Sequence, residues 1–103
     1  MNVPNIISDL LAAQAHFDSK AYADCFLETA FVFDENKTHK GHKEIEKWNE
    51  KTNEMYQSQL EVLDFKENTM IAKTSGNFEG SPIVLKYHFE FEREKIASLK
   101  ITI

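Results

Sequence analysis

Residues 30–48, AFVFDENKTHKGHKEIEKW, decide the fold. Residues 30–34 are β-branched and aromatic around one alanine, which suits a short strand, and the strand ends on an acid pair, Asp34-Glu35. The polar run that follows reads as a turn closed by Gly41. From Gly41 the pattern becomes helical and places Ile45 and Trp48 on one face. An acid at a strand end, facing a helix that carries a large aromatic, builds a lined cavity with one ionisable group at its mouth.

Working outward, residues 3–17 carry Ile6, Ile7, Leu10, Leu11, Gln14 and Phe17 at helical spacing, with Pro4 suited to the first turn. Asp18-Ser19 can end that helix and cap a second, short one that turns Ala21, Tyr22, Cys25 and Phe26 inward. The helix over 41–56 presents Ile45, Trp48, Thr52, Met55 and Tyr56 on one stripe and Lys and Glu residues opposite. After Tyr56 the period drops to 2. Strands are expected over 59–65, 69–78, 83–92 and 96–103, with turns at 66–68, 79–82 and 93–95. In the strand over 83–92, Leu85, Tyr87, Phe89 and Phe91 share one face, and Lys86, His88, Glu90 and Glu92 share the other. The expected fold is α+β: a cone-shaped, curved antiparallel sheet covered on one face by three N-terminal helices, in a single domain spanning 1–103. A twisted sheet covered from one side leaves a cone that becomes an aromatic-lined pocket wherever side chains do not fill it.

The composition narrows the function classes. With 103 residues, 42% hydrophobic and eight Phe, the chain is globular. The net charge is -5, and eleven Lys with a single Arg (Arg93) are scattered along the chain, which argues against nucleic-acid binding. Cys25 is alone, which excludes an internal disulfide and a multi-cysteine zinc site. The N-terminal residues lack a basic, apolar leader pattern, and no segment is long enough to span a membrane, so a cytoplasmic location is expected.

The order helix, short helix, acid-ended strand, Gly-started helix with Trp, then four strands resembles the nuclear transport factor 2-like fold over nearly the whole chain. Within it, Val32-Phe33-Asp34-Glu35, His39, Gly41, Ile45 and Trp48 resemble the SnoaL-like polyketide cyclase and ketosteroid isomerase branch. The resemblance implies a base at Asp34 that moves a proton beside a carbonyl. Tyr87-His88-Phe89-Glu90-Phe91 resembles the family's Asp-His-Phe-x-Phe stretch and puts Tyr87 where the family has a hydrogen-bonding acid. The family's first-helix Tyr falls on or near Ala13, which donates nothing. Homodimers are also common in the family, so a homodimer is expected.

Two readings of Asp34 stand side by side: a proton-transfer group with a carboxyl perturbed by burial near Trp48, or a cap on the turn that follows it. Tyr87 is the second catalytic candidate. Trp48, Tyr22, His39, Phe33 and Phe89 are the candidate binding residues. His39 and His42 lack a third strong ligand nearby in sequence, so no metal and no cofactor are expected. The resulting expectation is an isomerase or cyclase acting on a hydrophobic carbonyl compound held in the cone. The alternative is a non-catalytic module of the same fold that binds a small ligand or dimerises.

Overall fold

The computed structural model describes residues 2–103. Three helices pack on a six-stranded sheet. In chain order the elements are α1 (Asn5–Ala15), α2 (Ser19–Asp24), β1 (Phe26–Asp34), β2 (Lys37–Lys40), α3 (Gly41–Tyr56), β3 (Gln59–Lys66), β4 (Thr69–Ser75), β5 (Ile83–Glu92) and β6 (Lys95–Thr102). The sheet order is β2-β1-β6-β5-β4-β3. All neighbours are antiparallel except β1 and β6, which run parallel. The sheet is therefore mixed, where the pattern suggested antiparallel pairing throughout. The helix α3 carries the chain from the β2 edge to β3 at the far edge, and β1 meets β6 only after the meander returns.

Local chemistry explains the joints. Asp18 caps α2, its carboxylate accepting the Ala21 N–H at 3.1 Å. Gly41 takes φ +80° where β2 turns into α3, a conformation that costs other residues strain. Three hairpins close on two-residue turns with both φ positive: Glu35-Asn36, Glu67-Asn68 and Arg93-Glu94. This is the primed geometry whose twist matches the strands. Glycine adopts it at least cost, so Asn68→Gly is expected to stabilise the fold by on the order of 0.5 kcal/mol. An upward shift of the denaturation midpoint at unchanged slope would show it. An unchanged or lower midpoint would contradict it.

Several boundaries differ from expectation. Residues 37–40 form an edge strand, although Lys37-Thr38-His39-Lys40 lacks any apolar signal. Phe26 opens β1 instead of closing α2, and is buried. Phe17 lies past the end of α1 at φ +54° and is exposed, as is Met55, which points away from the α3 stripe. The strand expected to reach Phe78 stops at Ser75. There Asn77 donates its N–H to the Tyr56 carbonyl at 2.7 Å, and a Cβ on Gly76 would sit 2.5 Å from that carbonyl oxygen. The loop is thus tied to the end of α3, and Phe78 meets Tyr56 edge to face at 5.8 Å.

Bulges in the β1/β6, β3/β4 and β5/β6 pairings bend the sheet. Its concave face is filled at one end only. Ile7 and Leu10 of α1, Phe26 and Val32 of β1, Ile45 of α3, Met70 of β4, and Ile96 and Leu99 of β6 are fully buried there. Each such side chain contributes roughly 1.5–3 kcal/mol by leaving water. Further along the same strands the inward residues are Asp34, Tyr87, Leu85 and Ile101, and these border open space. Among the described residues, no helix is long and apolar enough to cross a membrane.

Candidate functional site

The unfilled end of the cone is a cavity of about 600 Å³. Its inward positions follow from strand alternation. Val32 is fully buried on the concave face of β1, so Asp34, two residues on, shares that face. Tyr87 pairs with Ile101 of β6 on one side and Met70 of β4 on the other. From above, α2 contributes Tyr22 and α3 contributes Trp48, Asn49, Thr52 and Tyr56.

Asp34 is half-buried at the end of β1. Burial pushes its carboxyl above the ordinary carboxylate range, and the Glu35 charge adds to this. The Trp48 side chain, His39 and the Glu35 backbone N–H oppose the shift. Asp34 borders the cavity, beside the Glu35 backbone N–H that opens the turn. The shift has a consequence for stability. The unfolded chain releases this proton at lower pH than the folded chain, so ionisation near neutrality favours unfolding. The isosteric Asp34→Asn change is expected to raise the melting temperature near neutrality and to do so less below the ordinary carboxylate range. A gain that grows on acidification would contradict the assignment.

The two buried tyrosines differ in their hydroxyls. Tyr87 is 6% exposed, and its hydroxyl lies 3.2 Å from Thr74 Oγ1. Burial pushes it up to about 12; the Thr74 contact opposes this and the Asp34 charge adds to it. Tyr22 is 3% exposed, and its ring lies 5.7 Å from Phe26 and 6.1 Å from Trp48. Its side chain borders the cavity. Burial, then the neighbouring Tyr87, Cys25 and Asp34, raise it well above the usual phenol range. Both hydroxyls stay neutral near neutral pH and can donate a hydrogen bond.

Of the other residues expected from sequence, Phe33 borders the cavity and carries Lys100 Nζ 5.7 Å from its ring centre. His39 does not border it. Its ring stacks on Trp48 at 5.7 Å and 28°, backing the indole. Phe89 belongs to the core: it is 4% exposed, stacked on Phe91 and paired with Leu99. His42 points elsewhere, its Nε2 2.6 Å from the Phe26 carbonyl oxygen. Among the described residues, no three His, Cys, Asp or Glu side chains come together as a metal set.

The pattern did not reveal the polar roof of the cavity. Gln14 Nε2 donates to Asn53 Oδ1 at 2.8 Å and to the Ser58 carbonyl at 3.0 Å. Asn49 Nδ2 donates to Gln14 Oε1 at 3.0 Å, Ser19 Oγ donates to Asn49 Oδ1 at 2.8 Å, and Asn53 Nδ2 donates to that same oxygen at 2.9 Å. Gln14 and Asn49 border the cavity. The available signal was the series Ile45, Asn49, Asn53, one residue per turn on the buried face of α3.

No protein-family model matches the chain, and no curated protein matches it by sequence. Solved structures do. A candidate polyketide cyclase from Sinorhizobium meliloti superposes with a TM-score of 0.90 at 30% identity, covering 97% of this chain and 95% of that one. A protein with a ketosteroid isomerase-like fold from Catenulispora acidiphila gives 0.85 at 18% identity, over 99% and 87% of the two chains. A nuclear transport factor 2-like protein from Anabaena variabilis gives 0.79 at 14%, over 95% and 83%. The chain belongs to the nuclear transport factor 2-like superfamily.

Proposed function

We propose that this protein is an acid–base catalyst acting on an apolar carbonyl compound held in the cavity. The observation that carries the reading is one half-buried carboxyl, Asp34, sharing an aromatic cavity with two buried tyrosine hydroxyls. The chemistry follows from those groups. As a carboxylate, Asp34 takes a proton from the carbon beside the carbonyl. A carboxyl raised by burial is a better base near neutrality than an ordinary one. The enolate oxygen that forms is held by a hydroxyl donor, supplied by Tyr22 or Tyr87, both of which border the cavity. Asp34 then returns the proton to the same carbon or to a conjugated one, giving isomerisation. In a cyclase, the enolate carbon attacks a second carbonyl instead.

Benzylacetone, a neutral aryl ketone small enough for the cavity, tests the reading without knowledge of the natural substrate. In D₂O the protein is expected to accelerate deuterium exchange at the carbons beside its carbonyl, followed by NMR. Binding that changes Trp48 fluorescence with no accelerated exchange would instead support the second reading, a binding module without turnover. The absence of any donor at Ala13, the first-helix position, favours that reading.

A further inference from the structure

The residues that border the cavity have an uneven charge make-up. Among the described residues they include two carboxylates, Asp34 and Glu35, and no Lys, Arg or His. Six are aromatic: Tyr22, Phe33, Trp48, Tyr56, Phe78 and Tyr87. Of the nearby bases, His39 lies behind the Trp48 ring, Lys100 sits over the Phe33 ring, and Lys37, the exposed strand partner of Asp34, shares its face but does not border the cavity. Aromatic faces carry negative potential and attract ammonium groups, the more so where water is thin. A carboxylate or phosphate ligand would meet no positive donor and two like charges. The Tyr22 side chain at the same wall supplies a hydroxyl that can act as a polar anchor in either hydrogen-bonding sense.

From this we infer that the cavity is a charge filter selecting ligands with a basic nitrogen over neutral ones of the same shape, and rejecting acids. The inference rests on the cavity being the ligand site proposed above, and it narrows the substrate class to amine-bearing or neutral carbonyl compounds. Phenylbutylamine, benzylacetone and phenylbutyrate have similar size and carry, near neutrality, a positive, no and a negative charge. Titration calorimetry, with Trp48 fluorescence as a second readout, is expected to rank them in that order, each step on the order of tenfold in Kd. Glu35→Gln is expected to shrink the amine-to-ketone ratio while leaving ketone affinity within about threefold. Amine binding no tighter than ketone binding, no amine binding at all, or acid binding as tight as either, would overturn the filter. Deuterium exchange of benzylacetone, read separately, keeps the two ideas apart. The amine-first order without exchange sinks only the catalytic reading, and exchange without that order sinks only the filter.

Discussion

Asp34→Asn is expected to lower α-proton exchange of bound benzylacetone by about 10²- to 10⁴-fold, the range general-base groups supply. Affinity for the ketone is expected to stay within about threefold, because Asn keeps the shape of the side chain and the ketone carries no charge. The same substitution is expected to raise thermal stability near neutrality, since it removes a carboxylate that burial disfavours. Loss of activity together with a gain in stability marks a group kept for chemistry at a cost to folding. If exchange persisted at the wild-type rate, Asp34 would be only a turn residue, the reading its Glu35 backbone contact alone supports.

The second large effect concerns the polar roof. Asn49→Ala would leave Gln14 Oε1 without its donor and remove the acceptor of the Ser19 O–H and of one Asn53 N–H, all on residues less than 10% exposed. Unpaired buried polar groups cost about 1–3 kcal/mol each, and partial relaxation offsets some of that. A net loss of about 3 kcal/mol is expected, a fall in Tm of more than about 10 °C for a domain of this size. Glu50→Ala, on the exposed side of the same helix, is expected to change stability by less than about 0.5 kcal/mol. Thermal unfolding of the two variants checks this. Equal effects would mean that the network contributes nothing beyond helix propensity. The network joins α1, α2 and α3 over the cavity, so its loss is also expected to weaken ligand binding.

Much of this arrangement could be read from residues 30–48 and the alternation after Tyr56. Those patterns depend on local spacing, which the chain carries explicitly. Alternation placed Tyr87 and Phe89 on one face, as found, but it says nothing about depth along the cone. Tyr87 therefore borders the cavity while Phe89 fills the core. The edge strand at 37–40 was hidden because a four-residue, solvent-facing strand needs no apolar side chains. The parallel β1/β6 pair depends on where α3 delivers the chain, which is not a local property. Asn49 and Asn53 carry no apolar signal of burial. Only the facing Gln14 and Ser19, thirty or more residues away, make them interior.

The proposed catalysis requires one geometry: a carbonyl compound seated between Asp34 and the tyrosine hydroxyls. The structure of the benzylacetone complex tests it most directly. The predicted result is the ketone inside the cavity, with its oxygen about 3 Å from the Tyr22 or Tyr87 hydroxyl and the adjoining carbon beside the Asp34 carboxylate. A ketone bound elsewhere on the protein, or seated in the cavity with its carbonyl turned away from both hydroxyls, would contradict it.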